Sequence, residues 1–388
     1  MELSGDGKTI NWPVMTFQSA LIVLIVVGHI NNDGFNGPFN ILYSGSFYVA
    51  GFSFVSGYLY SANHDGALGN YLIKRVQRLF IPLIGINFVY GAITCLLNSL
   101  AGFSLVGSPF PLAVIGAATL GINQCSLIHP TWFIAPFFLS QCVFVAFRAL
   151  LAKFDVTGGG IDRACLIIFL PLGVIPIIIG GKTGIGPGLG LLLARTAFML
   201  PWHAFGRYYK AFLEIRIEKI KSPSFFVLLL ILQLILLYLC SGPNTYAQYA
   251  CRFPHGVIIT YLSTLVGIAI YWRACEVIAP RLGKGAAKRL VKIIGENTFS
   301  IMCHHVFGFF LINCAFAVSF VVFGAFGSFD MVAFKANVQY AYWPHGVRQF
   351  GLLYAFMGIS VSLLIHMCWT RFKKLVSLRR HCMRDIMR

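Results

Sequence analysis

The chain is poor in charge, and poorest in negative charge. Only 11% of its 388 residues are charged, with 12 Asp and Glu against 30 Lys and Arg, whereas soluble domains carry about 25%. Hydrophobic residues make up 58% and the mean hydropathy is +0.78, which excludes a water-soluble globular fold. The 11 cysteines contain no C-x-x-C pair, so zinc-ribbon and redox-motif readings fall away, and most sit in apolar runs as small buried side chains. Cys125, Cys240 and Cys251 lie in or beside expected outer loops, where a disulfide is conceivable and no pairing is selected. Long Pro-, Ser- or acid-rich linkers and internal repeats are also missing, so residues 1–388 read as one integral membrane domain.

Ten apolar runs reach the roughly 20 residues that a span requires. They lie near 13–31, 41–61, 79–100, 131–150, 164–181, 190–208, 224–241, 256–273, 297–323 and 347–370. The first contains Gln18 and His29, follows Glu2 and Asp6, and lacks a small-residue cleavage site, so it reads as a helix and not as a signal peptide. With the amino terminus in the cytoplasm, every basic residue except Lys182, Arg195, Arg252, Lys335 and Arg348 falls on the cytoplasmic side, as the positive-inside rule requires. Residues 79–147, spanning an expected outer loop, hold no Lys or Arg at all. The expectation is an all-α polytopic membrane protein of about ten transmembrane helices, both termini cytoplasmic, in the cytoplasmic (inner) membrane. The net charge of +18 is thereby assigned to topology and not to nucleic acid. Segment 207–221, where aromatic and basic residues alternate, reads as an interfacial extension.

Ionisable groups inside a bilayer are costly, so each is a functional candidate. His29 ends the first span near the outer surface, and imidazole exchanges a proton near neutral pH. Asp33, four residues on, shares its face if the helix continues and would orient the ring; the Asn31-Asn32-Asp33-Gly34 cluster equally reads as a helix-ending turn. Lys74, Arg75 and Arg78 precede the third span, and two guanidiniums three residues apart on a helix would form a fork for phosphate oxygens. Positive-inside anchoring is the plainer alternative. Ser56-Gly57 permits close helix approach, and His305 lies inside the ninth span beside His304. Gly180-Gly181-Lys182-Thr183 ends like a P-loop but has Pro176 where that motif needs Gly. His129, His255 and His345 sit at outer span ends without metal-ligand spacing, so no metal is expected.

These pieces, in order, resemble the acyltransferase 3 family of integral membrane O-acyltransferases, particularly its fucose 4-O-acetylase-like branch. The matching segments are Val26-Val27-Gly28-His29, Phe54-Val55-Ser56-Gly57-Tyr58-Leu59, Arg75-x-x-Arg78, Trp132-Phe133, Leu200-Pro201 with Gly206, and Gly295-x-Asn297-Thr298-Phe299-Ser300-Ile301 leading to His305. The resemblance implies transfer of an acetyl group from cytoplasmic acetyl-CoA to a hydroxyl of a carbohydrate acceptor, a surface polysaccharide or lipid-linked glycan of the cell envelope. His29 is then the catalytic base and Arg75 with Arg78 hold the acyl-CoA, Lys74 beside them. Many members carry Arg eleven residues before that His, where this chain has Gln18. Ser56, Trp132 and Asn297 are candidate donors to the reaction's oxyanion, Arg195 a contact for an anionic or polyhydroxylated acceptor, and His305 a further substrate-binding group. A secondary transporter or glycan-lipid flippase is the rival class, and the paired repeats common there are not visible.

Overall fold

A computed structural model describes residues 10–30, 41, 44–154, 156, 158–344 and 350–386, with side chains described through Leu375. Among them there is no β-strand, only an isolated bridge between Ala247 and Arg252. The helices are α1 (Trp12–Gly28), α2 (Tyr48–Tyr58), α3 (Leu68–Ala101), α4 (Pro111–Leu120), α5 (Ser126–Ala152), α6 (Gly158–Gly180), α7 (Leu189–Tyr208), α8 (Ser222–Cys240), α9 (Gly256–Leu282), α10 (Ala286–Glu296), α11 (Thr298–Phe323), α12 (Met331–Ala336) and α13 (Gly351–Ile386).

Seven of these, α3, α5, α6, α8, α9, α11 and α13, are long and apolar enough to cross a membrane. The chain is a multi-pass integral membrane protein. Each of the ten expected runs overlaps a helix, yet α1, α2 and α7 differ from the seven in kind. Residues Ser44–Ser46 form a short 3-10 turn and α2 has only 11 residues, not the full run from 41. α7 carries Arg195, His203 and Arg207. These three helices pack mainly on protein, α1 against α9, α10 and α11, and α2 against α7. A helix sheltered by neighbours is released from the uniform hydrophobicity that lipid imposes. α8 is the opposite case: it buries only Gln233 and Leu236 and is apolar almost throughout.

The α2–α7 contact depends on glycine. A Cβ on Gly57 would stand 1.8 Å from the His203 carbonyl oxygen, and one on Gly206 would stand 2.0 Å from that of Phe54, so the two backbones touch where small residues allow it. Gly51 meets Leu21 of α1. The Gly180-Gly181 turn is likewise a packing element: a Cβ on Gly180 would lie 1.8 Å from the Cys251 carbonyl oxygen.

Segment 209–218 continues α7 through a π-helical turn, Tyr209–Leu213, and the short helix Glu214–Glu218. It docks on protein, Tyr58 donating to the Glu214 carboxylate and Lys210 lying over the Tyr58 ring. Cys125, Cys240 and Cys251 are all free thiols.

Candidate active site

Helix α1 starts under an Asn11 cap, whose side chain accepts from the Val14 amide at 3.2 Å, and runs to His29, about 25 Å along at 1.5 Å per residue. The amphipathic α10 crosses its lower half. Ser19 donates to the Val291 carbonyl at 2.7 Å, and a Cβ on Gly295 would meet Met15 Sδ at 2.4 Å. From the Ser19–Gly295 contact, ten residues lead up α1 to His29, about 15 Å, and ten lead through the α10–α11 joint and about two turns up α11 to His305. The two imidazoles therefore arrive at one height, with ring centroids 5.1 Å apart.

Each ring is fixed in the same way. His29 Nδ1 lies 2.7 Å from the Ile25 carbonyl oxygen, and His305 Nδ1 lies 2.7 Å from that of Ile301. A carbonyl can only accept, so in both rings Nδ1 carries the hydrogen and Nε2 of the neutral ring keeps the lone pair. His305 is fully buried and its Nε2 has no hydrogen-bond partner among the described residues. His29 is half-buried. Such a pair can receive protons or hydrogen bonds from a ligand; it cannot hydrogen-bond internally through the two Nε2 atoms without one extra proton.

His129 joins them from the 3-10 start of α5. It is within electrostatic reach of both His29 and Arg195, and its buried Nδ1 has no partner. Gln124 secures this turn by donating to the His129 carbonyl at 2.6 Å. Sequence reading set His129 aside as a span-end residue; only its kinked 3-10 segment, with Pro130 inside, could have drawn attention to it. Arg195 of α7 lies with its guanidinium 4.7 Å over Trp132, and its Nε donates to the Tyr249 carbonyl at 2.9 Å. The Tyr249 ring is 6.1 Å from that of His129. Contacts thus join Trp132, Arg195, Tyr249 and His129, and His29 with His305, His129 lying within electrostatic reach of His29. No carboxylate bonds to any of them among the described residues, and no cluster there could hold a metal ion. Asp33 lies outside the described residues.

Two candidates are placed elsewhere. Because α2 runs antiparallel to α1 from the Gly51–Leu21 contact, Ser56 lies toward the Trp12 end, away from His29. Asn297 donates to the Ile293 carbonyl at 2.8 Å and closes the α10–α11 joint, well below the imidazoles. His304 points to α3, 2.9 Å from the Tyr90 hydroxyl. Gln18 is half-buried within α1.

The second charged region occupies the other end of the bundle. Arg75 is half-buried with its guanidinium 4.8 Å over Tyr71, while Lys74 and Arg78 are exposed. Val76–Phe80 is π-helical, so the regular i, i+3 alignment expected of Arg75 and Arg78 does not hold across this wider turn. Beside them, Arg148 binds both oxygens of Asp65, at 2.9 and 3.0 Å, and also Asp162. Arg207 shares Asp162 at 3.2 Å, and Tyr60 donates to Asp65 at 2.6 Å. The Tyr60 ring stands 6.2 Å from Tyr71, linking this network to the floor under Arg75. Arg207 is twelve residues beyond Arg195 on α7, about 18 Å, which sets the separation of the two regions.

A family model described as an acyltransferase domain, that of acyltransferase 3, matches residues 18–313. The match begins within α1 and ends within α11, and so takes in both regions. No curated protein and no solved structure matches the chain.

Proposed function

The chain belongs to the acyltransferase 3 family, and from that membership we propose that it moves an acetyl group from cytoplasmic acetyl-CoA to a hydroxyl of an extracytoplasmic or lipid-linked glycan. The observation that carries the reading is the His29–His305 pair, each Nδ1 tied to a carbonyl and His305 Nε2 without a partner among the described residues, at the opposite end of the bundle from the basic cluster of Lys74, Arg75 and Arg78. In this reading the protein is one domain of ten spans in the inner membrane, with cytoplasmic termini, its sequence closest in character to the fucose 4-O-acetylase-like branch. The three protein-covered helices α1, α2 and α7 complete the ten.

The basic cluster takes the phosphates of acyl-CoA, Arg75 as a fixed cation and Arg78 with Lys74 as mobile ones. His29 Nε2 accepts the proton of the acceptor hydroxyl as its oxygen attacks the thioester carbonyl. When the C–S bond breaks, the same Nε2 returns that proton to the departing thiolate, so the ring ends as it began. His305 Nε2 accepts a hydrogen bond from the acceptor, and Arg195 with Trp132 forms the neighbouring wall.

Transfer of label from [14C]acetyl-CoA to surface glycan in isolated membranes tests the proposal. His29→Ala at equal expression should abolish it; undiminished acetylation would remove His29 from its role.

A further inference from the structure

Three arginines are buried among the described residues, Arg148, Arg195 and Arg273, at 0%, 3% and 6% exposure. Two of them carry carboxylates: Arg148 holds Asp65 and Asp162, and Arg273 holds Glu276 at 3.1 Å. Arg195 has none. Its protein partners are the Tyr249 carbonyl, which takes Nε and Nη2, and the face of Trp132. A buried cation without a counter-charge is costly, and this chain otherwise supplies one.

The unfilled side of the guanidinium has a defined shape. Nη1 makes no hydrogen bond among the described residues, and it faces Gly121, where a Cβ would stand 3.3 Å away. Gly121 has φ +69°, a conformation that disfavours a side chain there, so Gly121 lines that side of the guanidinium with backbone only. The next polar group, His129, keeps an unpartnered buried Nδ1 and is within electrostatic reach of both Arg195 and His29. Arg195, with no carboxylate among the described residues, and His129, with its buried Nδ1 unpartnered there, flank the same residue, Tyr249.

We infer that the acceptor is itself anionic, its carboxylate or phosphate seated on Arg195 Nη1 while a hydroxyl of the same molecule reaches His29. The inference rests on the acyl-transfer reading and adds the charge class of the acceptor to it. A purely structural Arg195, tying the Tyr249 loop to α7, would treat charged and neutral acceptors alike.

The test uses the full chain in phosphatidylcholine nanodiscs, with saturation binding and acetyl transfer read separately. Probes are methyl β-glucuronide, glucose 6-phosphate and the neutral methyl β-glucoside. At least one anionic probe should bind and react at least tenfold better than the glucoside, and its identity separates carboxylate from phosphate. Arg195→Gln should collapse that ratio toward one, and Arg195→Lys should retain most of it, with folding of both checked by size exclusion. Equal use of charged and neutral probes, no binding of either anion, or a ratio unchanged by Arg195→Gln overturns the inference. So does displacement of the anionic probe by phosphatidylglycerol added to the disc in the parent but not in Arg195→Gln, which would make a lipid phosphate the resident anion. The binding ratio stands apart from transfer: charge-selective binding with no acetyl ester formed would reject the acyl-transfer reading instead.

Discussion

Replacing Arg148 by Met keeps an unbranched apolar stem and removes the guanidinium from the most enclosed ionic network among the described residues. Arg148 and Arg207 face Asp65 and Asp162, two cations against two anions, so the substitution leaves one carboxylate in excess. Breaking a buried pair in this way costs about 3–5 kcal/mol. Asp162 keeps Arg207, and Asp65 keeps the Tyr60 hydroxyl and 13% exposure, which places the expected loss near the lower end, about 3 kcal/mol. Adding Asp65→Asn restores neutrality by leaving the Arg207–Asp162 pair alone, and should recover more than half of the loss. Unfolding in mixed micelles titrated with SDS measures both variants. A loss below about 1 kcal/mol for the single variant, the range of a surface pair, would refute the argument, as would a double variant no more stable than the single one. Because the Tyr60–Asp65 segment supports Tyr71 beneath Arg75, acyl-CoA binding should fall alongside stability.

Four further outcomes are expected. His29→Gln should lower acetyl transfer by about 10²–10⁴-fold, the usual contribution of a general base, with acyl-CoA affinity in a filter-binding assay unchanged. His305→Phe, which fills the ring volume but offers no lone pair, should lower transfer about two- to tenfold, equivalent to one neutral hydrogen bond; transfer at the parent rate would make His305 a packing residue. Arg75→Ala and Arg78→Ala should each weaken acyl-CoA binding, and a double-mutant cycle should find their effects additive within about 0.5 kcal/mol, since the π-helical turn separates them; strong coupling would restore the fork. Gly57→Leu should cost at least about 2 kcal/mol through overpacking against α7, read as a lowered thermal midpoint in detergent.

The long apolar helices were legible because lipid enforces an uninterrupted run, and α8, which buries only Gln233 and Leu236, is the clearest. Where protein replaces lipid the signal fades. α2 is shorter than its apolar run, and α3 begins at Leu68, earlier than the expected span at 79, because its first turns are polar. His29 could be singled out from its position at a helix end, and His305 from its depth. Their convergence could not, since it depends on the height at which α10 delivers the chain to α11. Arg195 was recognisable as an intramembrane cation, but its missing counter-ion only becomes evident beside Arg148 and Arg273. Ser56 and Asn297 were attractive for their chemistry, and three-dimensional placement removed both from the imidazoles.

The joint at Gly295–Asn297 carries a consequence for how this protein can change. One residue added or deleted there would swing everything above it by about 100° around the α11 axis, turning His305 away from His29 while every apolar stretch kept its length. Spacing in that short bend is therefore under as tight a constraint as the identity of either imidazole.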